Sequence, residues 1–321
     1  NYYKLVTPVS DPGIPNALAP PALALAPDGI VRFAYAGDLQ GNLWRFDFSG
    51  KPSTWQKAVG PGSKSTPLFV ARDAAGLRQP ITHAPRVVFA PGGGYIVIAG
   101  TGKFIEHVDA DQASFVPQSF YGIHDSVQKP AVVVEGRDEL ARRLLSGHGP
   151  YAVTGETLRF EGAGARKGWY FDFPNAREQG ERAAAAPFLA SGAAILDTLS
   201  PGIDACAAPL IRSYVVDAVS GLAYNNEGYA VSGQETGAVV HSGLGVAPLV
   251  MELGMSAAPR DPTGGAVSTR TLGIVRLGAR GKLAAATQVK LKTPTGRLSW
   301  REVANWQELH EKAIKKGRAG K

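Results

Sequence analysis

The run Gly168-Trp169-Tyr170-Phe171-Asp172-Phe173 joins aromatic residues to a closing aspartate, and the pattern returns three more times along the chain. The other copies are Leu43-Trp44-Arg45-Phe46-Asp47-Phe48-Ser49-Gly50, Phe120-Tyr121-Gly122-Ile123-His124-Asp125 and Ser213-Tyr214-Val215-Val216-Asp217-Ala218-Val219-Ser220-Gly221. Aromatic and β-branched residues favour strands. The aspartate can then accept hydrogen bonds from amides of the turn that follows. Successive aspartates lie 78, 47 and 45 residues apart. The last two intervals match the ~40–50 residues of a four-stranded propeller blade, and the first fits a blade with an insertion.

Composition agrees. In 321 residues there are 39 Gly and 23 Pro, which disfavours a helical bundle and favours a many-turned, all-β chain. Further short strand-like runs lie between the copies: Arg86-Val87-Val88-Phe89, Tyr95-Ile96-Val97-Ile98, Ala194-Ile195-Leu196 and Leu272 to Leu277. The expected architecture is a modified β-propeller of about four to five blades over residues 1–300, with an inserted loop around 126–150. Residues 225–271, rich in Gly, Ala, Ser and Thr, read as long loops. Two segments read as helices. Asp138 to Leu145 places Leu140, Leu144 and Leu145 on one side. Ser299 with Glu302 has capping-box spacing ahead of Val303, Trp306 and Leu309, so 301–321 is expected to be a short terminal helix and a basic tail, the competing reading being that Trp300 and Trp306 end a last strand.

Net charge is +7, but Lys312, Lys315, Lys316, Arg318 and Lys321 give the last ten residues +5 and leave the body at +2. A nucleic-acid or acidic-polymer partner therefore rests on the tail alone, and the nearly neutral body argues against it. The uncharged stretches 12–27 and 183–196 are too short and too broken by Pro and Gly to cross a membrane as helices. Starting on Asn1, the chain reads as a piece of a longer protein. One cysteine, Cys206, excludes an internal disulfide and any CxxC site, and its alanine neighbours read as core.

Catalytic motifs are missing. Val97 to Phe104 fails the phosphate-loop pattern at both ends and reads as a tight turn using Gly102. No G-x-S-x-G elbow occurs, and the histidines lack metal-helix spacing. His107, Asp109 and Asp111 alternate, so an extended segment would point three metal-capable side chains to one side; the competing reading is a polar surface loop.

The run Val31 to Asp47, with Tyr35-Ala36-Gly37-Asp38 at its centre, resembles the C-terminal region of the PilC/PilY family of type IV pilus biogenesis factors and tip-associated adhesins. Pro85-Arg86-Val87, Gly100-Thr101-Gly102-Lys103-Phe104, Gln118 to Asp125, Lys167 to Asp172, Gly180-Glu181-Arg182 and Leu298-Ser299-Trp300-Arg301 follow in family order. The resemblance implies a seven-bladed propeller in a secreted protein at the pilus tip or outer membrane. It also implies a non-enzymatic role in pilus assembly, opposing retraction, and adhesion, with pilins or minor pilins of the tip complex and a host-cell receptor as partners. On this resemblance the chain is expected to start partway into that propeller, after its earlier blades.

Family members carry a D-x-D-x-D-G-x-x-D calcium loop before that centre. Here its positions read Ala24, Ala26, Asp28, Ile30 and Arg32, a single carboxylate facing a cation, so no calcium and no other cofactor is expected at 24–32. Asp28 is expected to pair with Arg32 instead. If a metal site has moved, His107, Asp109 and Asp111 are its place. The rival enzyme class is a quinoprotein-like propeller dehydrogenase, resembled by Val216-Asp217 to Ser220-Gly221. The lone cysteine and the degenerate loop argue against it.

Overall fold

In the computed structural model four sheets, antiparallel except for one parallel strand pair in the second, stack in chain order, and a fifth, small sheet lies beside them. Residues 3–8, 11–26, 28–55, 66–127, 132–190, 192–202, 208–224, 230–242, 249–257, 266–277 and 283–295 are described. The first blade orders β1 (Ala22–Leu25), β2 (Val31–Gly37), β3 (Asn42–Asp47) and β4 (Phe69–Val70) side by side. The second contains β5 (Arg86–Phe89), β6 (Tyr95–Gly100), β7 (Ser119–Asp125), β8 (Ala141–Arg142) and, beyond β9 (Leu144–Ser146) and β10 (Tyr151–Thr154), β11 (Gly168–Asp172). Its order is β5-β6-β7-β11-β8.

The third blade is built on β12 (Arg182–Ala183), β13 (Phe188–Ala190), β14 (Ala193–Ser200), β15 (Leu210–Asp217), β16 (Ala223–Tyr224) and β17 (Ala230–Val231). β18 (Gln234–Thr236) instead joins β10 and β9 in a small sheet, and β19 (Ala238–Ser242) pairs with β15. The fourth sheet is β20 (Leu249–Ala257), β21 (Ala266–Leu277) and β22 (Leu283–Thr295). The described residues hold one α-helix, α1 (Ala176–Gln179).

Period-two alternation explains the stacking. Successive strand residues face opposite sides, and both sides of the middle blades are apolar. Val97, Ala99, Tyr121, Ile123 and Tyr170 pack toward Tyr35, Leu43 and Phe69 of the first blade. Their neighbours Ile96, Ile98, Phe120, Trp169 and Phe171 pack toward Ala194, Leu196, Tyr214 and Val216 of the third. Ala193 and Ile195 then meet Leu272 and Ile274 of the fourth sheet. At ~1.5–3 kcal/mol per fully buried large apolar side chain, these faces are the main adhesive between blades.

The repeat is real, but its spacing misleads. All four aspartates end strands, yet β7 and β11 pair with each other, Tyr170 opposite Tyr121 and Phe171 opposite Phe120. The 47-residue interval is therefore an excursion within one blade.

The predicted helix at 138–145 is also corrected: a 3₁₀ turn at Arg137–Glu139 leads into β8 and β9. Ala141 and Arg143 turn inward while Arg142 and Leu144 are exposed, a strand period. Arg143 is held there by the carbonyl oxygens of Ser220 and Glu156. Burial lowers its pKa to about 10. Residues 225–271, expected as loops, contain β17 to β19, β20 and the start of β21. The long β20–β22 hairpins depart from short blade strands. Cys206 and the terminal helix and tail fall outside the described residues.

Candidate interaction surface

Three nodes of buried polar groups position the surface. At the β2–β3 turn, Asp38 accepts from the amides of Gln40 and Asn42, the Asn42 side chain and Trp44 Nε1, at 2.8–2.9 Å. Between blades one and two, Asp125 accepts from Arg45 and Tyr35. Burial first, then the neighbouring Asp125 carboxylate, pushes the Tyr35 hydroxyl far above its ordinary pKa. Beside the third blade, Glu181 accepts from Thr198 and Tyr214 hydroxyls at 2.7 Å and from the Asn175 side chain at 3.0 Å. Each carboxylate is consumed in holding strands together.

Arg182, directly after Glu181 of the third node, packs against the segment between β6 and β7. Gly102 (φ 124°) donates its amide to Pro80 O, and a Cβ there would lie 2.5 Å from Arg182 Cβ, so only glycine passes. The turn role expected for Gly102 is thus joined to a close approach between two family motifs. Arg182 closes it: its Nη1 donates to Lys103 O at 2.8 Å, and its guanidinium sits 5.7 Å over Phe104 and 5.3 Å over Phe115.

Beyond that clamp come two 3₁₀ turns (His107–Ala110 and Gln112–Ser114), the first held by Asp109. Asp109 Oδ2 accepts from the amides of Ile105 and Glu106, both at 2.9 Å, and Oδ1 lies 2.9 Å from Lys103 Nζ. Burial alone would raise this carboxyl; the two amides and the ammonium outweigh it and hold it below its ordinary value. Asp111 caps the second turn through Ala113 N, and Ser114 Oγ donates to the carbonyl oxygens of Val108 and Asp111.

His107, Asp109 and Asp111 therefore do not share one side of an extended strand. Asp109 is buried, while His107 and Asp111 are exposed. Among the described residues no three His, Cys, Asp or Glu side chains converge as a metal set.

Among the side chains this ordered loop presents outward are four large apolar ones: Ile105 (69% exposed), Val108 (53%), Phe104 (42%) and Val116 (40%). Sequence reasoning missed these residues. The signal available was Phe104-Ile105, two large apolar residues directly after the Gly100-Thr101-Gly102 crossing.

Next to the loop, Pro117 borders a cleft of about 550 Å³ lined also by Asp73 to Ala75, Arg137, Asp172 and the α1 residues Arg177 and Glu178. Arg137 stacks 4.3 Å over Tyr170, donates to Tyr121 Oη and Ser119 Oγ, and pairs with Asp172. Tyr121, buried, titrates well above its ordinary range despite that guanidinium.

At the 24–32 loop, Ala26 and Ile30 close a turn over Gly29, Asp28 Oδ1 accepts from Ile30 N at 3.0 Å, and Arg32 Nη2 stands 3.7 Å from Asp28 Oδ2. The expected Asp28–Arg32 pair forms, on exposed side chains. Ala24 lies within β1 and is buried against the second blade. One carboxylate, with one oxygen on an amide and the other beside a guanidinium, does not fit calcium, which takes six to eight oxygens.

Comparison with known proteins agrees with this architecture. Residues 4–145 match the PilY1 beta-propeller domain. The type IV pilus biogenesis factor PilY1 of Pseudomonas aeruginosa is 34% identical over 278 residues, covering 70% of this chain and 24% of that protein. A PilY1 homolog of Xylella fastidiosa is 34% identical over 255 residues, 73% of this chain and 17% of its own. This chain thus spans about a quarter or less of these relatives. The crystal structure of the Pseudomonas aeruginosa PilY1 C-terminal domain superposes with a TM-score of 0.59 at 26% identity, over 87% of this chain and 62% of that one. Stacked blades, paired family motifs and these likenesses together show that the chain belongs to the PilC/PilY family of type IV pilus biogenesis factors, within its C-terminal β-propeller region.

Proposed function

We propose that this chain is a non-enzymatic assembly and adhesion module of the type IV pilus, working at the cell surface through the loops of its propeller and without calcium at 24–32. One observation carries the reading: the buried carboxylates Asp38, Asp125 and Glu181 are each engaged by several donors in joining strands or blades, while the ordered 103–117 loop directs apolar side chains outward. General acid–base work needs a carboxyl within reach of a substrate proton. Buried acids satisfied by tyrosine, arginine and backbone donors serve rigidity. Exposed, pre-ordered apolar groups serve binding, because little ordering entropy is lost on contact.

The partners on this reading are pilins or minor pilins of the tip complex, with a host-cell receptor for adhesion. Opposing retraction follows if the module stays bound at the pilus base or tip. No helix among the described residues is long and apolar enough to cross a membrane.

The test is a chimera. Pseudomonas aeruginosa deleted for its PilY1 is given that protein with this chain replacing the matched region, and surface pili are counted by electron microscopy. Restored pili support the reading. A chimera that is secreted and folded but leaves the cells bald overturns it. Stoichiometric retention of pyrroloquinoline quinone by the purified chain would overturn the non-enzyme part independently.

A further inference from the structure

We infer that the 103–117 loop and the cleft beside it form one docking surface for a basic, amphipathic polypeptide segment on a partner protein. This rests on the reading of the chain as an interface module and adds the chemistry of the partner.

Three observations point to that occupant. The first is shape and polarity. Ile105, Val108 and Val116 stand out on a loop held by Asp109, Ser114 and Arg182, and Pro117 links this loop directly to the cleft wall. Apolar anchors next to a groove are what a peptide side chain and its backbone need.

The second is charge sign. Between Lys103 and Asp111 the loop has three carboxylates, Glu106, Asp109 and Asp111, against one ammonium. The cleft lining has Asp73, Asp172 and Glu178 against Arg137 and Arg177. Both are net negative on a chain whose total is +7. Arg137 and Asp172 pair with each other, which leaves Asp73 and Glu178 against Arg177.

The third is a carboxylate oxygen left over. Asp73 is 4% exposed; its Oδ1 accepts from the amides of Ala75 and Leu77 at 2.9 Å, and its Oδ2 has no hydrogen-bond partner among the described residues. A buried carboxylate oxygen without a donor is costly. A lysine or arginine side chain entering the cleft beside Ala74 and Ala75 sets a cation next to this under-satisfied carboxylate, while flanking apolar residues of the same segment cover Ile105 and Val108. An anionic lipid surface has the wrong sign for this rim.

The experiment uses the full 321-residue chain and two labelled 12-residue peptides, one alternating Leu with Lys and one alternating Leu with Glu, read by fluorescence anisotropy. Undirected electrostatics on a +7 chain favours the Glu peptide, so a preference for the Lys peptide reports the local surface. The expected result is at least tenfold tighter binding of the Lys peptide, weakened by salt and lost in Ile105→Ser/Val108→Ser. The surface charge swap Glu106→Lys/Glu178→Lys should reverse the preference with an unchanged circular dichroism spectrum.

Equal binding, or preference for the Glu peptide by the unmodified chain, overturns the inference. So does loop-dependent binding to phosphatidylcholine/phosphatidylglycerol vesicles, or a concentration-dependent dimer abolished by Ile105→Ser, which would assign the surface to lipid or to a second copy. Pilus restoration in the chimera is a separate readout. Bald cells with an intact Lys-peptide preference sink the pilus reading alone, and restored pili without that preference sink this one alone.

Discussion

Arg45 and Asp125 meet across the joint between the first two blades, Nη1 donating to Oδ1 at 2.6 Å with side chains 3% and 1% exposed. Asp125 also accepts from Tyr35 Oη at 2.8 Å and from Val127 N at 2.9 Å. One repeat-ending aspartate thus caps its own turn and locks the neighbouring blade.

Removing one partner of such a pair strands the other's charge in the interior, which typically costs ~3–5 kcal/mol. Asp125→Ala should therefore lower the urea midpoint steeply, and Arg45→Met/Asp125→Leu should recover a large part of the loss because no lone charge remains. Chemical denaturation of the parent and the two variants checks this. A loss below ~1 kcal/mol for Asp125→Ala would show that the joint rests on apolar packing alone.

Gly122 on β7 lies opposite Trp169 on β11, and a Cβ at Gly122 would come 2.3 Å from the indole nitrogen. Trp169 is fully buried between blades and has no slack to move. Gly122→Ala should cost ~1–3 kcal/mol by overpacking. Gly254→Ala, at a position with nothing within 4 Å and no positive φ, should change stability little. Thermal midpoints of the two variants decide whether the Gly122–Trp169 contact is as tight as drawn.

Much of the fold is legible in the aspartate-ended aromatic runs, because alternation with both faces apolar is a local signal of a strand buried between layers. Asp47, Asp125 and Asp217 do cap the following turn as that pattern implies, through Ser49, Val127 and Ser220 amides. Asp172 does not: it faces Ser119 and Arg137, since its strand returns beside β7. Nothing local distinguishes it, and that is why the interval was misread as a blade. The helix expected at 138–145 failed for a similar reason. Arg143 counts as polar in any periodicity, but distant carbonyl groups make it an inward-facing residue. In the 225–271 stretch, small residues weaken the strand signal, and pairing partners supply what propensity lacks. The surface loop was hidden because its order comes from Asp109, in a capping arrangement whose N-cap is Glu106 instead of the usual Ser or Thr, and from Arg182, 79 residues from Lys103 in sequence.

Asp109 provides the pH prediction. Its carboxyl is held below its ordinary value, so the folded state releases this proton more readily than the unfolded chain. The stabilisation is fully present above the ordinary aspartate range and is lost as pH falls through that range to the lower folded value. Near neutral pH it is constant. Asp109→Asn should flatten the acid side of the stability curve relative to the parent while lowering the neutral plateau by ~1 kcal/mol, the usual worth of a cap. Guanidinium melts between pH 7 and pH 3 measure both limbs; parallel curves for parent and variant would refute the role of Asp109 as the loop's charged anchor.

The 24–32 loop yields the sharpest expectation about metal dependence. A ligand that binds only the folded state raises the thermal midpoint, by RT ln(1 + [L]/Kd) in free energy. With Asp28 as sole carboxylate, engaged by Ile30 N and Arg32, chelator-stripped protein should show no midpoint shift up to millimolar calcium. Arg32→Ala should cost less than ~1 kcal/mol, since the pair is exposed. Arg32→Asp should still give no calcium response, because two carboxylates fall short of a calcium cage and Ala24, the first position, is buried toward the second blade. A saturable shift in the parent that persists in Arg32→Asp would place a calcium site elsewhere, with Asp109→Ala/Asp111→Ala as the next variant. A shift that Arg32→Asp strengthens would locate it at 24–32, and the account of that loop as a turn held by one ion pair would fall.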